Sequence, residues 1–313
     1  MGTKLGVLIP TREQILNDTD DAGSLLRLAD AAEDLAFDSV WVGDSTIARP
    51  RHEPLTLLSA VAGRTRRVSL GTAVMVVPQR NPLSFAHQIA TLDQISEGRV
   101  VLGVGFGIGS EPVKAEFEAM GAPFEKRIGR MLESLRLCQA LWTGEPVTWD
   151  GRWTLNDAVL RPRPAQTGGP PIWGGGSAPG SLRRAGRHFD GWMPTGPAEP
   201  HVWAERWQTV CDAATDAGRN SSELTGALYL TATIAPTKAK GEERLMDYLR
   251  AYYGPVAERM RANEACYAGP VEGLGEWVQG FIDSGVQHVV IRFAGDHELQ
   301  MQAMARCRAD LNW

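Results

Sequence analysis

Short apolar runs alternate with amphipathic stretches along the whole chain. The apolar runs are rich in valine and nearly continuous, which is typical of parallel strands that are covered on both faces. They predict eight strands, at residues 4–9, 38–43, 67–74, 99–105, 171–175, 190–194, 226–234 and 287–293. The stretches between these strands follow a helical period, with apolar faces such as Leu25, Ala29 and Ala32 or Phe85, Ile89 and Leu92.

Eight strands that alternate with helices fit either an open doubly wound sheet or a closed barrel. The number of strands, their even spread over the chain and the unusual residues at their C-terminal ends favour the barrel. Two segments interrupt the alternation. Residues 144–164 contain the turn signal Asp150-Gly151 and predict a β-hairpin before strand five, and residues 237–265 predict a helical expansion after strand seven. We therefore predict an α/β fold, a (β/α)₈ TIM barrel, as a single domain over residues 1–313.

Composition and charge exclude several classes of protein. The net charge of −5 and the lack of a basic stripe argue against a nucleic-acid partner. The longest nearly apolar stretch, Leu224 to Ala235, is too short to cross a membrane. The first residues lack the charged and apolar regions of a signal peptide. Four cysteines lie far apart in helix-like stretches and predict buried thiols in a reducing cytoplasm: Cys138, Cys211, Cys266 and Cys307.

The end of strand four is unusually rich in glycine. Residues 99–110, RVVLGVGFGIGS, carry glycines at 103, 105, 107 and 109. The dinucleotide fingerprint G-x-G-x-x-G does not fit, because it needs a third glycine where Ile108 or Ser110 stands. A strand end without side chains indicates that something flat and large lies against its backbone.

Strand five also ends in glycines, at Trp173–Ser177, before a predicted helix. Free backbone N–H groups and the positive end of a helix together form an anion site, usually for phosphate. The alternative is a tight strand-to-helix turn that binds nothing. Three consecutive glycines exceed what a turn requires and favour the phosphate site, with Ser177 as the predicted N-cap.

Strand two ends in Asp44, and a polar loop with Arg49, Arg51 and His52 follows. An acid at the C-terminal end of a barrel strand is more often functional than structural, although it can also cap a loop. His52 is either a proton-transfer group or an ordinary surface histidine.

Strand eight ends in Arg292, which either meets an anion or pairs with Asp296. The sequence shows neither a metal-ligand constellation nor a nucleophile motif. Such a site fits an enzyme whose cofactor carries the chemistry.

Five segments resemble the bacterial-luciferase-like superfamily of flavin- and deazaflavin-dependent oxidoreductases. They occur in the family's order, cover most of the chain and are highly specific together. They are VWVGDS at 40–45, LGTAV at 70–74, NPLSFAHQIATLDQISEGRVVLGVGFG at 81–107, FEKRIGRMLESL at 124–135 and PPIWGGGSAPGSLRRAGRHFDGWMP at 170–194.

The resemblance implies a (β/α)₈ barrel with the ring of coenzyme F420, a deazaflavin, or of FMN at its C-terminal mouth. It places a non-prolyl cis peptide at Ala73-Val74 behind the ring, and Asp44 where it would hydrogen-bond the ring. Backbone N–H groups after strand five would hold the cofactor phosphate. The expected cofactor contacts are Asp44, Ala73, Val74, Gly105, Phe106, Gly107, Gly174, Gly175, Gly176, Ser177 and Ala178.

This chain departs from the family at three positions. The sugar-phosphate dehydrogenases have a histidine where Ser45 stands and a glutamate where Ile108 stands, so their chemistry is not transferred. Bacterial luciferase has an arginine near the phosphate where this chain has Phe106, and either Arg127 or Arg130 is a substitute.

The leading hypothesis is an oxidoreductase that uses F420 or FMN on a small organic substrate, with hydride transfer for F420 or oxygen activation for FMN. The glycine pattern without an arginine favours F420. Asp44 and His52 are the predicted catalytic residues. The alternatives are a flavin-binding protein without activity and a TIM-barrel isomerase or lyase of phosphate esters. We further expect a homodimer in the cytoplasm without metal, nucleic-acid or membrane partners.

Overall fold

A computed structural model describes residues 2–311 of the chain. Its strands are β1 (Lys4–Leu8), β2 (Ser39–Val42), β3 (Ser69–Thr72), β4 (Met75–Val76), β5 (Val100–Gly105), β6 (Val147–Asp150), β7 (Thr154–Ala158), β8 (Ile172–Gly174), β9 (Gly191–Trp192), β10 (Thr225–Ile234), β11 (Cys266–Gly269) and β12 (His288–Phe293).

Helices follow most of the strands. They are α1 (Thr11–Leu16), α2 (Ala22–Asp34), α3 (Pro54–Arg64), α4 (Pro82–Ile95), α5 (Glu111–Ala119), α6 (Arg127–Trp142), α7 (Pro179–His188), α8 (Pro200–Asp216), α9 (Lys238–Tyr253), α10 (Ala257–Asn263), α11 (Val271–Asp283) and α12 (His297–Leu311). Among the described residues, no helix is both long and apolar enough to cross a bilayer.

The strands close into a parallel barrel, as the sequence predicted. Around the barrel the order is β1, β2, β3, β5, β8, β9, β10 and β12, and β12 pairs with β1. The short β4 continues β3 and pairs with the upper end of β5. The extent of the domain, 1–313, stays a prediction, and Met1, Asn312 and Trp313 lie outside the described residues.

Both predicted interruptions of the barrel are present. Strands β6 and β7 pair antiparallel as the hairpin before β8, and α9 and α10 form the helical expansion after β10. The sequence missed β11, which pairs in parallel with the upper half of β10 from Thr231 to Ile234. Cys266 therefore lies in a strand, and its prediction in a helix was wrong, because four residues are too few to show a period.

Two tryptophans fill the barrel interior below the mouth. Trp41 and Trp173 are buried, and their ring centroids lie 5.3 Å apart. Neighbouring strands make room for them with glycines. A Cβ at Gly71 would collide with the Trp41 indole, and one at Gly191 would lie 2.6 Å from Trp173 Cδ1. The interior is therefore a packed core at this level, as in other barrels of this type.

His288 lies at the N-terminal end of the interior, under the two tryptophans. Its Nε2 is 2.7 Å from Ser39 Oγ, and the rings of Trp41 and Trp173 meet it edge-on. Burial, together with the positive charges of Lys4 and Arg308, lowers the pKa of His288 to about 3. His288 is therefore neutral in the folded protein at all moderate pH values.

We expect the free energy of unfolding to fall as the pH drops below about 6.5, the usual pKa of histidine. There the unfolded chain protonates His288 while the folded protein does not, so protons favour unfolding. The pKa difference corresponds to about 1.4 kcal/mol per pH unit between pH 6.5 and 3. Urea unfolding at several pH values measures this slope. It should flatten in His288→Gln and stay unchanged in His87→Gln, which alters an exposed histidine on α4. Equal slopes in both variants would contradict the assignment.

Candidate functional site

The third barrel strand is interrupted at the C-terminal mouth. Strand β3 ends at Thr72 and β4 begins at Met75, and the peptide between Ala73 and Val74 is cis, as the resemblance implied. Both residues pack with Val101 into the apolar cluster around Trp173 and Met193, yet Ala73, Val74 and Val101 remain partly exposed. These three residues form an apolar floor that is open at the mouth, and we call them the floor.

The glycines of β5 have a reason that the sequence did not reveal. A Cβ at Gly103 would collide with the Thr72 carbonyl oxygen, and one at Gly105 would lie 2.6 Å from Val74 Cγ2. Gly107 has φ +80°, and a Cβ there would lie 2.8 Å from Phe117. Close packing against Thr72, Val74 and Phe117 is therefore sufficient to require these glycines, whether or not a flat ligand binds there.

The segment after β8 leaves backbone donors without partners. The sequence predicted that the N–H of Gly175 is free to bind a phosphate. It instead donates to Val104 O at 3.1 Å. The N–H groups of Gly176, Ser177 and Ala178 bond no other described residue. Gly176 has φ +91°, which favours glycine, and Trp192 Nε1 donates to its carbonyl oxygen. We call residues 176–178 the cradle; it precedes the N-terminus of α7, where an anion is stabilised.

Ser177 is not the N-cap of α7, so that prediction was wrong. Ala178 holds the N-cap position and Pro179 the first helical position, and no side chain caps this end. Proline at the first position moves the helix start one residue further along than the serine indicated. The cradle therefore depends on backbone groups alone. Gly174 points away from it, because a Cβ there would meet Phe189.

Phe106 lies between two arginines. The guanidinium carbons of Arg127 and Arg184 are 5.6 and 5.3 Å from its ring centroid. Arg127 also faces the carbonyl oxygen of Gly107 at 3.4 Å, whereas Arg130 lies over Trp153 of the hairpin. Of the two substitutes considered for a phosphate-binding arginine, Arg127 is thus the one beside the predicted site. Arg184, in the second turn of α7, was missed.

Asp44 joins the end of β2 to the segment beyond the floor. Its side chain is 3% exposed, and its carboxylate accepts from Val76 N–H at 2.9 Å and from Arg80 at 2.7 Å. Burial lowers the pKa of Arg80, but Asp44 and Glu53 more than offset this, so the pKa lies above its ordinary value. Asp44 therefore holds Met75–Val76 in place beside the floor, a role that the sequence did not reveal.

A second carboxylate fixes the loop after β2. Glu116 on α5 is buried and accepts from Ser45 Oγ and from the N–H groups of Thr46 and Ile47. Burial raises the pKa of Glu116, but the N–H donors of Ile47 and Thr46 more than offset this, so the pKa lies below its ordinary value. Ser45 in turn accepts from Arg49 N–H at 2.9 Å. Sequence analysis missed Glu116, because 71 residues separate it from Ser45.

His52 is the last residue but one before α3, and it is half-buried. Its Nδ1 is inaccessible to water and has no hydrogen-bond partner among the described residues. The neighbouring Arg51 reaches back to the top of β2, where a Cβ at Gly43 would collide with its guanidinium group. The loop thus carries both residues at the rim of the barrel mouth.

Arg292 is 2% exposed and does not pair with Asp296. It bonds Thr231 Oγ1 at 2.7 Å, Tyr253 OH at 3.0 Å and Glu264 at 3.2 Å. Four tyrosine rings surround its guanidinium carbon at 4.5–5.6 Å: Tyr229, Tyr248, Tyr252 and Tyr253. The pairing with Asp296 was therefore wrong, because Arg292 is bonded inside the protein by Thr231 of β10 and by Tyr253 and Glu264 of the expansion.

The structure therefore brings the predicted residues to one face. Ala73 and Val74 of the floor, the cradle, Phe106 and Asp44 lie at the C-terminal ends of adjacent strands β2, β3–β4, β5 and β8, and Val101 lies lower on β5, level with Gly71. A cavity of about 670 Å³ lies apart from them, between α1, α2, α9 and the start of α12. It touches none of the predicted site residues.

The family model for luciferase-like monooxygenases matches residues 3–297. The chain belongs to this family. Among curated relatives of this luciferase-like protein, an F420-dependent glucose-6-phosphate dehydrogenase of Nakamurella multipartita is 38% identical over 309 residues, which cover 90% of this chain and 89% of the relative. The corresponding enzyme of Microbacterium testaceum is 30% identical over 315 residues and 90% of each chain.

Solved structures share the luciferase-like barrel. An F420-dependent secondary alcohol dehydrogenase with an F420-acetone adduct has a TM-score of 0.80 at 22% identity and covers 98% of both chains. A long-chain alkane monooxygenase has a TM-score of 0.83 at 14% identity, over 100% of this chain and 92% of that one. The luciferase-like protein is thus an oxidoreductase by family, and the isomerase, lyase and non-catalytic alternatives are set aside.

Proposed function

We propose that this protein is an F420-dependent dehydrogenase or reductase of a small alcohol or carbonyl compound. The observation that carries the proposal is the adjacency of the floor and the cradle. One is an open apolar surface next to a peptide bulge, and the other offers three free N–H donors two strands away. A ligand with a flat ring and a phosphate fits both at once.

The residues present fit a deazaflavin. The floor would support the ring, the cradle and the N-terminus of α7 would hold the phosphate, and Arg127 and Arg184 add positive charge beside Phe106. When bound, F420 supplies a two-electron hydride acceptor or donor. The protein contributes orientation, because Asp44 and Arg80 hold the strand segment beyond the floor.

His52 is the proposed proton-transfer residue. When an alcohol is oxidised to a carbonyl, its carbon loses a hydride and its hydroxyl loses a proton, and the imidazole of His52 would accept that proton. Reduction runs in reverse. The support is that His52 is half-buried in the loop at the mouth and that its Nδ1 has no hydrogen-bond partner among the described residues, whereas the carboxylates of Asp44 and Glu264 already have partners.

The test is a titration of the purified protein with F420 and, separately, with FMN. Trp41 and Trp173 lie directly under the floor and should report occupancy by fluorescence quenching. We expect tighter binding of F420, followed by bleaching of oxidised F420 with a secondary alcohol or glucose 6-phosphate as the first substrates tried. Tighter binding of FMN together with oxygen consumption would replace the proposal by a monooxygenase.

We also propose that the protein is a cytoplasmic homodimer, as expected from the sequence. The thiols of Cys138 and Cys266 support a reducing compartment, because both are buried and burial raises the pKa of each above its ordinary value. Light scattering of the purified protein tests the dimer.

A further inference from the structure

Three arginines gather at the mouth on the side away from the cradle. Arg12 is the second residue of α1, just after β1, and Arg49 and Arg51 lie in the loop after β2. Arg12 stacks on Tyr252 at 4.5 Å and Arg49 on Tyr253 at 5.4 Å, and those two tyrosine rings are 5.0 Å apart. Burial lowers the pKa of Arg12, and the positive charges of Arg51 and Arg49 lower it further.

None of these three arginines forms an ion pair with a described residue. The nearby carboxylates are engaged elsewhere, Glu264 by Arg292 and Tyr253, and Glu13 by the Tyr248 hydroxyl. Asp44 and Glu53, at the two ends of the same loop, both pair with Arg80. Glu13 and Glu264 still attract Arg12 and Arg49 through space, but no described carboxylate forms an ion pair with any of the three arginines.

Arg12 has two donor nitrogens without a partner in the described protein. Its Nε and Nη1 are inaccessible to water and have no hydrogen-bond partner among residues 2–311. Buried polar groups are almost always paired, and an unpaired guanidinium nitrogen is costly. Stacking on Tyr252 positions the Arg12 guanidinium group but gives these two nitrogens no hydrogen-bond acceptor.

The barrel order separates this cluster from the cradle. Strands β1 and β8 are four positions apart in either direction around the barrel, so they lie on opposite sides of the mouth, with the floor between them. A cofactor phosphate in the cradle would leave the arginines to a second molecule. Guanidinium groups bind the paired oxygens of carboxylate and phosphate groups in a forked geometry.

We infer that Arg12, Arg49 and Arg51 form a substrate subsite for an anionic group, so the substrate is an alcohol or carbonyl compound that carries a carboxylate or a phosphate. The inference rests on the proposed function for the identity of the reaction. The anion site itself does not depend on it.

The test is calorimetric titration of the F420-loaded protein with inorganic phosphate and, in a second arm, with acetate, at an ionic strength held constant with sodium chloride. We expect one saturable site for at least one of the anions. Arg12→Gln and Arg49→Gln should each weaken it about tenfold, because each removes a charge-assisted pair of donors. Arg12→Lys should retain part of the affinity, and Arg66→Gln, which alters an exposed arginine before β3, should retain all of it.

The affinity for F420 serves as the folding control and should not change in any of these variants. Anion binding that is absent from the loaded protein, or equal in Arg12→Gln and Arg66→Gln, would overturn the subsite. If F420 does not bind at all, the proposed function fails, and the same titrations of the unloaded protein still decide whether the arginines bind an anion.

Discussion

Replacing His52 with glutamine is expected to lower kcat by about 100-fold or more while the affinity for F420 stays the same. Positioned acid–base groups typically contribute factors of this size. Glutamine has a similar length and polarity but does not exchange a proton near neutral pH. Stopped-flow or steady-state bleaching of F420 measures kcat, and fluorescence quenching measures the affinity. His87→Gln on the outer face of α4 is the matched control.

Asp44→Asn should give the opposite pattern. Asparagine keeps an acceptor for Val76 N–H but loses the ion pair with Arg80, so the segment beyond the floor loosens. We therefore expect weaker cofactor binding with a smaller change in kcat at saturation. If His52→Gln leaves kcat unchanged, His52 is a rim residue and not the proton-transfer group.

Gly175→Val is expected to weaken cofactor binding by about 10- to 100-fold, which corresponds to the 1–3 kcal/mol of a typical overpacked contact. A Cβ at Gly175 would lie 3.5 Å from Val74 Cγ1, an ordinary contact, so the fold accepts it. The added methyl groups would nevertheless stand beside the floor, where the ring is proposed to lie. Fluorescence titration with F420 gives the affinity, and thermal unfolding checks the fold.

Ser177→Ala provides the contrast in the adjacent cradle. Its side chain neither caps α7 nor bonds another described residue, so its removal should change the affinity less than about threefold, within the few tenths of a kcal/mol of an ordinary surface substitution. Gly63→Ala, which meets no atom within 4 Å on α3, controls for the loss of a glycine. Similar losses in Gly175→Val and Ser177→Ala would argue against a site built from backbone groups and open space.

The sequence predicted the barrel, the hairpin and the expansion because each rests on a local period or turn signal. The interruption of strand three has a different source, because only the resemblance to the family, which includes Leu70 to Val74, implied it. The start of a helix was harder to predict. For α7 the sequence predicted Ser177 as the N-cap, and the structure has Ala178 there. There Pro179, and not the serine, fixes the start.

Contacts between distant segments were beyond the sequence. Arg292 meets Glu264 and Tyr253 only because the expansion folds back over β10 and β12, and no spacing in the chain records this. The same is true of Glu116 and the loop at Ser45. At Gly103 the sequence could not distinguish two causes of a glycine. Close packing on Thr72 and contact with a flat ligand both require a residue without a side chain.

The two tryptophans beneath the floor also constrain the order of events in a catalytic cycle. Trp41 and Trp173 close the barrel below the floor. Cofactor and substrate would therefore both enter and leave through the C-terminal mouth. With the cofactor on the floor as proposed, a substrate lying above it would block the cofactor's path to the mouth. We therefore expect productive turnover to follow sequential kinetics with the cofactor as the first reactant, and initial-rate measurements at varied cofactor and substrate concentrations test this order.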